Sequence, residues 1–197
     1  MKKLHELTQE YFELLYNCFD NEVKQSMYGK SNEIYGELYY YSIVKLLRYL
    51  KITATDHFLD IGSGLGKLVF QIFLTTNAAS VTGVEINSQR YNISCKIKDN
   101  MKQQLPDMFD GNRILDFFHD DFLMRTFDNI SIIYVCSTVF SFDFLKAIGR
   151  KVNNMNSVRK IVSLRKLPNV DGFKLSNKMF LHGTWDNSAC YIYTRET

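Results

Sequence analysis

"DIGSGLGK", residues 60–67, sets Gly62, Gly64 and Gly66 at alternate positions between Asp60 and Lys67. The β-rich "HFLDIG" (57–62) leads into it and "GKLVFQIFLT" (66–75) leaves it as a helix, so the glycines form a strand-to-helix turn. A nucleotide phosphate loop needs four residues between its first glycine and its Gly-Lys-Ser/Thr. Here Gly62 and Gly66 enclose three, and Leu68 follows the lysine. A dinucleotide loop reads G-x-G-x-x-G, whereas this one reads G-x-G-x-G after an acidic residue.

Further β-rich runs recur at "SVTGVEI" (80–86), "RILDFFHDD" (113–121), "ISIIYVC" (130–136) and "RKIVSL" (159–164). Helical patterns alternate with them at 42–50, 88–104 and 142–152. This alternation predicts an α/β fold, a mainly parallel sheet with helices on both faces. Two last extended runs, "FKLSNKMFLHG" and "ACYIYTR", flank a turn-like "TWDNS" and predict an antiparallel strand at the C-terminal edge. The glycine turn then lies at the tip of the first strand, where doubly wound folds bind ligands.

A chain of 197 residues, 46% hydrophobic and 23% charged, can bury the core of one domain. Residues 1–33 are expected to form a short helical segment and 34–197 the main domain. No long uncharged apolar run predicts a membrane span, and the acidic residues near the N-terminus do not suit a secretion signal. Cys18, Cys95, Cys136 and Cys190 form no CxxC pair, so they predict reduced thiols rather than zinc ligands or a disulfide framework. His57, His119 and His182 have no ligand spacing, and no metal is expected. The net charge is only +3, yet 150–178 holds eight basic residues against Asp171 alone. That bias suits a polyanionic partner or a solvated surface neutralised from elsewhere.

The G-x-G-x-G form after an aspartate resembles the S-adenosylmethionine loop of Rossmann-like methyltransferases. Gly62 and Gly64 let backbone approach the methionyl part of that ligand closely, since no Cβ intervenes. Asp60 then lies near its ammonium, and Glu85, at the end of the second strand, can accept both ribose hydroxyls. Asp121 and Phe122, after the third strand, suit the adenine amine and ring. Singly, Glu85 reads as a surface acid and Phe122 as core. Their order at three successive strand ends sets the cofactor reading apart.

"IYGEL" (34–38), together with "DIGSGLGK", "GVEI", "DDFL", "IIYVCSTVF" and the late "GTW...CYIYTR", resembles the catalytic domain of the disruptor-of-telomeric-silencing family. These are non-SET lysine methyltransferases that modify histone H3 within the nucleosome. The resemblance implies that Tyr35 and Glu37 belong to a loop folding over the methionyl end. It carries over cofactor contacts to Asp60, Gly62, Gly64, Lys67, Glu85, Asp121, Phe122 and Cys136. Phe140, Trp185 and Tyr191 fall where the family lines a narrow channel to the sulfonium, although Trp185 also suits a core position. The chain departs from the pattern at Lys67, where the family commonly has glutamine, and at Cys136-Ser137, where it usually has paired asparagines. Ser137, with Thr138 beside it, is the expected replacement, a hydroxyl with one donor and shorter reach.

The resemblance thus implies a monomeric S-adenosylmethionine-dependent histone-lysine methyltransferase of the nucleus. Its partners would be histone H3 and nucleosomal DNA, the latter gripped through Arg159, Lys160, Arg165 and Lys166 and through Lys2, Lys3 and Lys24. The readings left beside it are methylation of a non-histone protein lysine, a cofactor-binding chromatin module without catalysis, and a small-molecule or RNA methyltransferase. RNA and DNA amino-methyltransferases typically carry an Asn/Asp-Pro-Pro-aromatic motif after the fourth strand, and "CSTVF" differs from it.

Overall fold

A computed structural model of the protein describes residues 2–19 and 36–196, with side chains from Thr8 onward and at Glu6. Tyr35 and Lys24 lie outside the described residues, as do the side chains of Lys2 and Lys3. The elements run α1 (Lys2–Asn17), α2 (Tyr40–Leu50), β1 (His57–Ile61), α3 (Lys67–Thr75), β2 (Ser80–Glu85), α4 (Ser88–Gln104) and β3 (Ile114–His119). They continue with β4 (Ile132–Val135), α5 (Phe142–Asn153), β5 (Lys160–Ser163), β6 (Phe173–His182) and β7 (Asn187–Arg195).

The seven strands form one sheet in the order β3-β2-β1-β4-β5-β7-β6. All the pairings from β3 to β5 are parallel, as the strand–helix alternation predicts. The C-terminal hairpin supplies the antiparallel member: β7 pairs antiparallel with both β5 and β6, so it lies one place inside the edge that β6 forms. Burial explains the composition of the central strands. Every residue of β2 and β4 is buried, since helices cover both faces of a parallel sheet. β1 sits between β2 and β4, so the chain reverses its direction of winding there and opens a crevice at the strand C-termini.

Two apolar clusters cover the faces. One centres on Phe58, Phe70, Phe73 and Leu46, the other on Leu59, Ile133, Leu145 and Ile161. α1 joins the first. Phe12, Leu15 and Tyr16, at helical spacing, are all buried there, and the Tyr16 ring meets Phe70 edge-on at 6.4 Å.

The opposite, N-terminal rim of the sheet is tied by Asp56. Its carboxylate receives Arg159 Nε and Nη2 at 2.8 and 2.7 Å, Ser131 Oγ at 2.7 Å and the Thr53 amide at 2.8 Å. These donors precede β5, β4 and β1, so one side chain gathers the entries of three adjacent strands. Burial pulls the Asp56 carboxyl upward, but Arg159, Thr53 and Ser131 together hold it well below the usual carboxylate range.

Asp56→Asn should therefore cost about 2 kcal/mol at neutral pH, discounted because Arg159 is partly exposed. A lowered folded pKa contributes stability that is complete above the unfolded value of about 3.9 and fades as pH falls through the folded one. Resistance of wild type to urea should fall below about pH 4, and Asp56→Asn should show a shallower acid slope.

Candidate functional site

A crevice opens to solvent at the tips of β1, β2 and β4. Asp60, Gly62, Gly64, Lys67, Glu85, Asp121, Phe122, Cys136 and Phe140 all line it, with Glu37. Most of the residues picked out by sequence therefore converge on one pocket from five separate stretches of chain.

All three glycines of the turn are left-handed, with φ of 75°, 57° and 78° at Gly62, Gly64 and Gly66. Gly62 is constrained twice over, because an added Cβ would also come within 2.9 Å of the Phe140 ring. Glu85 fastens this turn to β2. Its Oε2 accepts the Gly64 amide at 2.7 Å and its Oε1 the Asn87 amide at 2.8 Å. A carboxylate has about four acceptor positions, so both oxygens retain capacity for ribose hydroxyls.

Asp60 is buried, and its Oδ1 has no hydrogen-bond partner among the described residues. Burial and then the charge of Glu85 push its carboxyl well above the usual range. A buried carboxylate left this way favours a cationic ligand group within reach. Ser63, also lining the pocket, has a buried and equally unpartnered hydroxyl. The ammonium, hydroxyls and amine of S-adenosylmethionine match this set of acceptors, so the residues fit that cofactor.

The loop after β3 forms another side of the pocket. Phe122 is buried and stacks on Phe127 at 5.8 Å, while Asp121 Oδ1 accepts the Leu123 amide at 2.8 Å. Lys151, from α5, secures this loop by donating to the carbonyls of Phe122, Leu123 and Arg125. Its ammonium also stands 4.6 Å from the Phe122 ring. Sequence reading missed Lys151, and no local signal marks a lysine whose partners lie some thirty residues upstream. It missed Ser63 as well, whose place inside the G-x-G-x-G turn was the available clue.

Over the opposite side runs the 36–38 strap. Thr184 donates its amide to the Glu37 carbonyl at 2.8 Å, and the Glu37 amide donates to Thr184 Oγ1 at 3.1 Å. Leu38 bridges to Gly183. Glu37 is ion-paired with Lys67, which opposes the upward pull of burial on its carboxyl.

Three expected channel or acceptor residues lie elsewhere. Ser137 is fully buried and outside the pocket, its Oγ bonded to Ser163 Oγ and to the Arg165 amide, both at 2.8 Å. β4 stops at Val135 and the chain turns at Ser137, which leaves Cys136 lining the pocket and Ser137 bonded toward β5 instead. Cys136 and Thr138 are the pocket-lining residues of that stretch, and burial, with the Asp60 charge, pushes the Cys136 thiol up to about 12. Trp185 lies beneath the strap rather than in the pocket. An added Cβ at Gly36 would come within 2.2 Å of its ring, and its Nε1 donates to Ser188 Oγ at 2.7 Å. Tyr191 sits on β7, opposite Ser163, where β5 separates it from the crevice.

The expected basic grip also comes apart. Arg159 and Lys160 stand at the N-terminal end of β5, Arg159 paired with Asp56 and Lys160 donating to the Leu50 carbonyl at 3.1 Å. Arg165 and Lys166 follow its C-terminal end, where Arg165 donates to the Phe140 carbonyl at 2.6 Å and Lys166 is exposed. The four do not share one surface.

Gly62→Arg should abolish cofactor binding with the fold retained, since the side chain must enter the space held by Phe140. Equilibrium dialysis against labelled S-adenosylmethionine, beside circular dichroism, checks this. Lys151→Met should raise KM for the cofactor roughly 10-fold while kcat stays near wild type, because it loosens the pocket-lining loop after β3 without itself lining the pocket.

Among solved structures, the chain is similar to magnesium protoporphyrin IX methyltransferase (ChlM) from Synechocystis PCC 6803 with bound S-adenosylhomocysteine. The TM-score is 0.62 at 12% identity, covering 98% of this chain and 99% of that one. It is also similar to M. capricolum TrmK in complex with S-adenosylhomocysteine, with TM-score 0.58, 11% identity and 82% and 70% coverage. A putative tRNA (m1A22) methyltransferase from Streptococcus pneumoniae, Sp1610, matches with TM-score 0.58, 13% identity and 78% and 69% coverage. These likenesses establish the Rossmann-like methyltransferase fold. The family described as "Histone methylation protein DOT1" matches residues 19–179. The chain is an S-adenosylmethionine-dependent methyltransferase and belongs to that family.

Proposed function

We propose that the protein methylates a lysine of histone H3 on the nucleosome core surface. The family match over residues 19–179 is the observation that carries this reading. The site supplies chemistry consistent with it. S-adenosylmethionine, when bound, supplies an electrophilic methyl group, so the chain must align an acceptor and keep the accepting amine neutral. Phe140, Val139 and Phe144 give the pocket an apolar wall that disfavours an ammonium by desolvation. Cys136 remains a thiol at neutral pH and does not compete with the acceptor as a nucleophile. Glu37, anchored by Lys67 and Thr184, organises the strap. Methylation of a non-histone protein lysine is the second reading, favoured by Cys136 standing where the family usually has asparagine.

With Arg159 and Lys160 engaged at the far rim, Lys166 is the member of the basic set that remains exposed near the crevice end of β5. Lys166→Ala should weaken nucleosome binding and lower its salt slope by about 1, and Lys160→Ala should leave both unchanged.

Transfer of labelled methyl to reconstituted nucleosomes, free histones and a whole-cell extract, with Gly62→Arg as control, tests the reading. Label on nucleosomal histone H3 is the expected result. Label confined to non-histone proteins of the extract would contradict it and select the second reading.

A further inference from the structure

Three stretches of chain remote in sequence meet beside the glycine turn. From α1 comes Tyr16, 7% exposed, whose hydroxyl donates at 2.8 Å to the carbonyl of Leu65, the residue between Gly64 and Gly66. From the start of α3 comes Lys67, whose ammonium stands 4.9 Å from the centroid of the same tyrosine ring. From the strap comes Glu37, the ion-pair partner of Lys67. One aromatic side chain thus touches both the backbone of the turn and the cation that holds the strap.

A core-filling role alone does not account for this geometry. Phenylalanine would fill the same space against Phe12 and Phe70 without burying a hydroxyl, and a buried hydroxyl is tolerated only where it is bonded. Nor is the ion pair an ordinary surface contact. The Glu37 side chain is 11% exposed, so removing Lys67 leaves a largely buried carboxylate without that cation. Lys67 in turn depends on Tyr16, because its ammonium is held between the ring face and the carboxylate.

We propose that Tyr16 and Lys67 act together as positioning residues of the cofactor pocket, so that α1 is part of the site rather than an appendage to it. Tyr16 fixes the turn through Leu65, and through Lys67 it fixes the strap that carries Glu37. The inference rests on the pocket being the S-adenosylmethionine site. It also accounts for a lysine at 67, since a glutamine there brings no charge to Glu37 and none to the tyrosine ring.

The test measures S-adenosylhomocysteine affinity by calorimetry for wild type, Tyr16→Phe, Tyr16→Leu, Lys67→Met and the Tyr16→Leu/Lys67→Met pair. Tyr11→Phe, on the same helix, serves as control. Hydrogen exchange at the Thr184 amide, which reports the strap without ligand, is followed in each. Tyr16→Phe should weaken binding roughly 5-fold, Tyr16→Leu and Lys67→Met roughly 10-fold each, and Tyr11→Phe not at all. The pair should lose much less than the product of its singles, because they break one assembly. Thr184 exchange should quicken in both Tyr16→Leu and Lys67→Met. Multiplying losses, or folded Tyr16 variants with wild-type affinity and exchange, would overturn the proposal. Failure of wild type itself to bind would strike the cofactor reading instead, and Thr184 exchange would still decide whether Tyr16 holds the strap.

Discussion

Two carboxylates buried side by side at the tips of β1 and β2 are the constraint around which the rest of this molecule is arranged. Glu85 is offset by two backbone amides, whereas Asp60 keeps an oxygen with no partner among the described residues. Ionised groups of like charge in such a place are unfavourable, and the upward displacement of Asp60 expresses that. The enclosing parts maintain the condition. The glycine turn brings backbone close, Phe140 walls one side, and the Glu37 strap lines another with its own cation at Lys67. A ligand with an ammonium near two hydroxyls relieves what the protein alone leaves unbalanced.

The two rims of the sheet divide structure from function. At the N-terminal rim, Asp56 is saturated by donors from three strand entries, and nothing is left over for a ligand. At the C-terminal rim, polar groups are left short of partners and aromatic rings line the space. Basic residues that look like one stripe in sequence are distributed between these rims. A strand of four residues is enough to carry Arg159 and Arg165 to opposite ends of the sheet.

Much of this was legible in the chain itself. Strand ends can be read because burial on both faces makes β4 a continuous apolar run and leaves β2 without a charge until Glu85, and the residues at their tips follow in order. Asp60, Glu85 and Phe122 were placed in this way. Orientation within irregular chain was not legible. Whether Cys136 or Ser137 faces the pocket depends on where β4 stops, and one residue of register exchanges them. Tyr191 was displaced for a topological reason, since β7 lies beyond β5 from the crevice, whereas Trp185 is kept from the pocket by the strap that packs on it. Lys151 and Tyr16 act across thirty to fifty residues on backbone carbonyls, which have no sequence identity to reveal them.

The most direct test of the account is proton release on cofactor binding. An Asp60 raised above the ordinary range is partly protonated where a free carboxyl is not, and a cationic ligand favours the ionised form. S-adenosylhomocysteine titrated calorimetrically in two buffers of different ionisation enthalpy should therefore show proton release that grows toward acid pH. Affinity should fall as pH drops through the Asp60 value, and Asp60→Asn should bind weakly with neither effect. Equal heats in both buffers together with tight binding by Asp60→Asn would contradict the claim that this carboxylate organises the site.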